Sequence, residues 1–498
     1  MLLFVCLGCR QQSYSQDGID LQFTSTNVNT PELLPTSTLR PASAESNIPN
    51  FPEIPENTDI PNIEPTVTTP QAPVAENGDA SEVDEAKNLD IDPTEQLLED
   101  IAQRAFDFFW QETNPDNGLI KDRANNFSTD SYDVSSIAAI GFGLTSLCVA
   151  KEHGWITEND AYDRAHTTLL TFANDVENVN GWFYHFLDME TGQRVWESEA
   201  SSIDTALFLA GALSVAQCFP GTEVEVLANI IYERVDFMWM LTDGGSLPDE
   251  QLLGHGWKPE TGFLPYRWDQ YSEHMILYIL ALGSPTHPIP SSSWEAWERQ
   301  IGTYAGYTTF AQGPLFTHQF SHVWIDFRNM RDSLRYDYFE SSVNATLANR
   351  QFAIDNIDAC ETYDENVWGL TASDGPDGYM AYGAPPGTIV HDCTIAPSAS
   401  ASSIVFTPEL SIAALETMYE LYEDEIWGRY GFSDAFNVDR AWWDTDIIGI
   451  DQGNTLLMIE NYRNNGFVWQ TFMSHPAVRL GLQKAGFTYS IYLPLVEN

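Results

Sequence analysis

The stretch WESEASSIDTALFLAGAL, residues 196–213, joins an acidic, hydroxyl-rich segment to an apolar helix. In its second half Leu207, Leu209, Ala210 and Leu213 are apolar, and Ala206 with Gly211 leaves a thin face that another helix can approach closely. Its first half holds Glu197, Ser198, Glu199, Ser201, Ser202 and Asp204. Such side chains at a helix start cap free N–H groups and complement the helix dipole. In the same place they can face a cleft. For Asp204 both readings stand equally. For Glu199 the aromatic, polar loop 181–196 that leads into it favours the cleft.

The same helical spacing recurs on either side. Residues 94–110 (TEQLLEDIAQRAFDFFW) carry Leu97, Leu98, Ile101, Ala105, Phe108 and Phe109 at helical intervals. Further helices are expected over 135–152, 158–178, 201–217, 224–241, 272–282, 294–302, 341–360, 409–422, 453–461 and 476–484. The loops 181–196, 243–271, 363–408 and 428–450 are long, and loops of that length without periodicity of their own are usually functional. No short fixed repeat appears, which argues against a solenoid. Helices joined alternately by short and long loops imply an all-α ring of hairpins whose long loops gather at one end around a cleft, with short strands in those loops.

Residues 10–93 are rich in Pro, Thr, Ser, Asn and Glu and read as an extended, disordered linker; residues 94–498 read as one catalytic domain. Residues 1–9, MLLFVCLGC, read as the end of an export signal, too short to span a membrane. Leu7-Gly8-Cys9 is similar to a bacterial lipobox, so Cys9 is the expected lipidation site and the protein is expected to be exported, tethered to the cell envelope or released outside it. Cys148 and Cys218, in apolar helical stretches, are expected to be core thiols, with a disulfide as the alternative that no pattern supports, and the six cysteines match no zinc spacing.

The formal net charge is −50, from 22 basic and 72 acidic residues. Such a surface repels nucleic acid and anionic membranes and suits a neutral partner. An aromatic content of 13% adds rings that can stack on sugar faces, or simply fill a core. No phosphate loop and no serine nucleophile elbow occurs, and no metal-ligand spacing supports a cation in the acidic loop 374–377, so no cofactor and no metal are expected.

Six separated blocks carry a family resemblance: SEASSIDTALFLAGAL (198–213), YSEHMILYILALGSPTHPIP (271–290), HQFSHVWIDFR (318–328), WGLTASDGPDGYMAYGAP (368–385), YGFSDAFN (430–437) and GIDQGNTLLMIENYR (449–463). Over residues 94–495 the chain resembles the bacterial glucoamylase-like glycoside hydrolases, a family that contains endo-β-1,2-glucanases. The resemblance implies an (α/α)6 barrel and inverting hydrolysis of β-glucan; with the acidic surface, the expected partner is a neutral oligo- or polysaccharide, and the protein is expected to be a monomer. Cys393 stands where relatives usually have glycine, which bears on subsite shape.

Glycoside hydrolysis needs a protonated carboxyl for the leaving oxygen and a carboxylate to activate water or attack the sugar. Glu273, after the aromatic loop YRWDQY, is the expected acid; helix-start complementation is its alternative. Asp451, between Gly449 and Gly453, is the expected base side, acting directly or through a substrate hydroxyl and a water; an N-cap is its alternative. Glu199 is the third catalytic candidate. The resemblance marks Asp204, Arg267, Trp268, Tyr271, His318, His322, Trp324, Asp326, Arg328, Tyr379, Tyr382, Asn437, Trp442 and Trp443 as substrate-binding candidates. Two other functions fit less well. One is cleavage of another linkage or a polysaccharide lyase on the same barrel. The other is a non-catalytic surface glycan-binding protein.

Overall fold

The computed structural model describes residues 92–489. The signal, Cys9 and nearly all of the linker lie outside the described residues. The chain is mainly helical, with short strands confined to the connections.

Two kinds of helix alternate along the chain. The first is buried all round, as expected of helices apolar on every face. Ile137–His153 is buried at every position from Ile137 to Ala150, and Met275–Gly283 is buried throughout. Ser202–Cys218, Phe320–Trp324, Pro397–Ala401 and Gly449–Arg463 are nearly so. The second kind buries one stripe. In Glu158–Asn174 the buried residues are Ala161, Ala165, Thr168, Leu169 and Phe172. Pro93–Gln111, Glu223–Arg234, Pro408–Ile426 and Pro476–Lys484 follow the same rule.

The buried helices touch one another in series. Ile137–His153 packs on Ser202–Cys218, which packs on Met275–Gly283; that helix meets Phe320–Trp324, which meets Gly449–Arg463, which returns to Ile137–His153. Pro397–Ala401 also lies against Gly449–Arg463. The thin face expected at Gly211 is the closest of these approaches. A Cβ there would sit 2.0 Å from the Gly141 carbonyl oxygen, so only glycine lets the two backbones meet.

Several sequence expectations change. Cys148 and Cys218 are not free thiols: they form a disulfide across that same helix pair, and Cys360 bonds Cys393. Apolar surroundings shield a disulfide as well as a thiol, so sequence context could not separate the two. The helix expected over 294–302 stops at Ala296, and Ile301–Tyr304 pairs with Tyr307–Phe310 as a hairpin. Ala305 and Gly306 both take positive φ (50° and 92°), the torsions that a two-residue hairpin turn requires. The helix expected over 224–241 breaks at Val235, and Asp236 caps a new turn by accepting from the Trp239 amide (2.9 Å). No helix among the described residues is long and apolar enough to cross a membrane.

Candidate active site

The N-terminal ends of the buried helices meet one cavity of about 240 Å³. Glu273, Asp451, Glu199 and Asp204 all line it, with His185, His255, Trp196, Trp268 and Tyr379 around them. Residues 50 or more positions apart are brought there by short antiparallel pairings. Arg123–Asn125 pairs with Asp446–Ile448, Val134–Ser136 with Phe186–Asp188, and Ala200–Ser201 with Gly256–Lys258.

Glu273 sits in the turn before its helix, which begins at Met275 rather than at Ser272. Ser321, on the neighbouring buried helix, fixes that turn: its hydroxyl donates to the Glu273 carbonyl (2.6 Å) and accepts from the Ile276 amide (3.0 Å). The carboxylate accepts from the Ser272 hydroxyl. Burial pushes the Glu273 carboxyl up to about 7, and the charge of Asp204 adds to the effect. A carboxyl in that range still holds its proton near neutrality.

Asp451 is the third residue of Gly449–Arg463 and therefore not an N-cap. Its helix start is tied to the Arg123 strand by the Gly449 amide, which donates to the Asp122 carbonyl (2.7 Å). Burial raises the Asp451 carboxyl above the usual range, and Asp434 hydrogen-bonds it. Such a carboxyl–carboxylate bond requires one of the pair to hold a proton.

Glu199 behaves in the opposite way. Burial would raise it, but the His185 ring, with Nδ1 3.2 Å from Glu199 Oε1, holds it down at about 2. The other ring nitrogen of His185 lies 3.5 Å from Asp204 Oδ1. Burial disfavours the imidazolium, yet Asp204 and Glu199 outweigh it and raise His185 to about 9. Asp204 itself is raised by burial, against the pull of His185. The cavity thus contains a carboxyl that keeps its proton, Glu273, and a carboxylate that has lost it, Glu199, held apart by their surroundings.

Aromatic walls complete the cavity. Trp268 stacks on His255 (4.0 Å between centroids, 15° between planes), and its Nε1 donates to the Ser202 hydroxyl (2.9 Å). Trp196 is 45% exposed, and with Glu197 it forms two successive non-glycine residues at positive φ (56° and 52°). Such torsions are unfavourable and cluster where a loop serves a site.

Among known proteins, the Glycoamylase family model matches residues 265–476. The solved structure of a glucoamylase-like protein of Bacteroides caccae is 30% identical, covering 80% of this chain and 100% of that one, with a TM-score of 0.72. The chain belongs to the glucoamylase-like family. An endo-β-1,2-glucanase of Chitinophaga pinensis, solved with sophorotriose and glucose, is 29% identical over 80% of this chain and 99% of that one, with a TM-score of 0.71. An exo β-1,2-glucooligosaccharide sophorohydrolase of Parabacteroides distasonis is 28% identical over 428 residues. This match covers 78% of the chain but spans only 58% of that curated relative's length.

Family blocks do not translate uniformly into cavity walls. Trp268 and Tyr379 line the cavity, whereas most other binding candidates have structural partners elsewhere. Arg267 clamps a loop, donating to the Leu241 and Leu252 carbonyls (both 3.0 Å) and pairing with Asp243 (2.6 Å). Tyr271 is buried against Phe310, and Trp324 is buried with its Nε1 on the Thr145 hydroxyl (3.0 Å). His318 and His322 are buried, and burial lowers them to about 4 and about 3. Asp326 pairs with Arg328 (2.8 Å), whose guanidinium lies over Trp469. Tyr382 donates to Asp392 (3.3 Å), and Asn437 donates to the Asp392 carbonyl (2.8 Å). Trp442 and Trp443 form a strand on Phe436–Asn437. Conversely, His185, His255, Asp122 and Trp196 line the cavity without having been candidates. A histidine in the loop that feeds Glu199 was the one available sequence signal.

Proposed function

We propose that this protein is a glycoside hydrolase that cleaves β-1,2-linked glucan internally by single-displacement inversion. Glu273 protonates the leaving oxygen. Asp451 supplies the base side, directly or through a substrate hydroxyl and a water, and Glu199 with Asp204 binds sugar hydroxyls. The observation that carries the reading is Glu273: a buried carboxyl raised to about 7, on the wall of a cavity shared with Asp451 and Glu199. The names of the Chitinophaga and Parabacteroides relatives support the β-1,2 linkage, one through endo and the other through exo action. The serial contacts of the buried helices support an (α/α)6 barrel with the cavity at its mouth. Two disulfides support export, because such bonds persist in oxidising compartments.

The test is a panel of linkage-defined β-glucans incubated with the purified protein. Mixed short oligosaccharides from β-1,2-glucan alone are expected. Sophorose as sole product would replace endo with exo action. Products absorbing in the ultraviolet would make the protein a lyase, and binding without new reducing ends would make it a glycan-capture protein.

A further inference from the structure

Next to Asp451 three loop carboxylates meet that the proposed hydrolysis does not use. Asp374 follows the strand Ala372–Ser373, Asp434 lies between Gly431–Phe432 and Phe436–Asn437, and Asp444 lies between Trp442–Trp443 and Asp446–Ile448. One carboxylate oxygen from each falls within 4.8 Å of the other two.

Protein donors satisfy only part of this group. The Asp374 amide donates to Asp434 Oδ2 (2.7 Å), and the Asp446 amide donates to Asp444 Oδ1 (3.1 Å). Among the described residues Asp444 Oδ2 is buried with no hydrogen-bond partner, and Asp434 Oδ1 is buried and accepts from no N–H or hydroxyl. The two residues are only 2% and 8% exposed. Buried charges of one sign need a counter-charge. Arg123 is shared among Asp374 (2.7 Å), Asp122 (3.6 Å) and Asp446 (3.9 Å), so its one positive charge is divided over several carboxylates.

We propose that Asp374, Asp434 and Asp444 form a calcium site. An all-carboxylate set selects a hard cation over zinc or copper. Calcium bonds oxygen at roughly 2.3–2.6 Å, so ligands on opposite sides of it stand up to about 5 Å apart. Magnesium demands near-ideal octahedral geometry at roughly 2.0–2.1 Å and gives up its water reluctantly, so carboxylates from three separate loops suit calcium's looser coordination better. Water and the second carboxylate oxygens complete the coordination. The ion ties together three loops that are distant in the chain, one of which carries the Asp434 that hydrogen-bonds Asp451. The site stands whether or not the hydrolase reading does, because its readout is binding.

The test uses the full chain, freed of metal with EGTA and titrated with calcium chloride by calorimetry in high salt, where diffuse binding to an acidic surface is screened. One saturable site is expected, with a melting temperature that rises by a few degrees at saturation and a weaker response to magnesium. Asp444→Asn should lower calcium affinity at least about tenfold. Asp249→Asn, at an exposed position remote in sequence from the cluster, should not. If Asp444→Asn fails to fold, terbium luminescence in the wild type, sensitised by the adjacent Trp443 and displaced by calcium, decides instead. A wild type with no saturable heat and the same melting point in EGTA and calcium would overturn the site. So would equal loss of binding in the Asp249 variant.

Discussion

Replacing Glu273 with Gln should separate catalysis from stability in opposite directions. Gln keeps the shape and the Ser272 contact but has no acidic proton. General acid catalysis contributes typically 10²–10⁴-fold, and a sugar alkoxide is a poor leaving group, so turnover should fall by about 10³-fold or more. That corresponds to about 4 kcal/mol or more of barrier. The stability effect follows from the proton. The folded-state carboxyl is raised from 4.5 to about 7, so between those values the native protein binds more protons than the unfolded chain. Wild-type stability therefore falls as pH rises through that window, by up to about 3 kcal/mol above pH 7. Gln carries no such penalty. The variant should melt close to wild type at pH 4.5 and about 4 °C higher at pH 8, for a domain of roughly 400 residues. Initial rates on β-1,2-glucan and calorimetric scans at the two pH values test both halves. An undiminished rate would remove Glu273 from the mechanism, and a stability gain independent of pH would refute its elevated proton affinity.

His185 gives the converse pH dependence. Its folded-state value is raised from 6.5 to about 9, so its stabilisation is complete below pH 6.5 and fades as pH rises through 9. His185→Gln should lose up to about 3 kcal/mol at pH 6 and little at pH 10; equal losses at both would contradict the ion-pair account. Gly211→Ala places a Cβ 2.0 Å from the Gly141 carbonyl and should destabilise by at least about 3 kcal/mol in thermal melts, whereas an unchanged melting point would show that the helices can part freely. Removing the Cys148–Cys218 bond by Cys148→Ser with Cys218→Ser opens a loop of 70 residues and should cost about 4 kcal/mol; mass analysis finding free thiols in the wild type would sink that prediction.

Local pattern made some of this legible. The helix after Ser201, its thin face at Gly211 and the acidic cluster at its start were readable because each depends on residues within a few turns. Glu273 and Asp451 were readable as cleft residues from the polar loops beside them, though their helix starts were misplaced by three and four residues. What could not be read depends on long-range pairing. The Tyr184–Ala200 bridge and the His185 amide, which donates to the Glu199 carbonyl (2.9 Å), put the His185 ring between Glu199 and Asp204, and no local pattern announces that pairing. The same limit explains His318, His322 and Trp324. Aromatic and imidazole side chains in a shared block serve a core as well as a sugar, and here they are buried in packing. Cys393 shows a third kind of limit, because its partner Cys360 lies 33 residues away and only the folded chain aligns them.

The proposed hydrolysis has Glu273 and Asp451 acting from one cavity to cleave a β-linked glucan in a single displacement. Proton NMR of the first turnovers on β-1,2-glucan, faster than mutarotation, tests it most directly. The account predicts that the new reducing ends appear first as the α-anomer. Ends that appear first as the β-anomer would mean retention through a covalent intermediate, and the roles given to these two carboxyl groups would be contradicted.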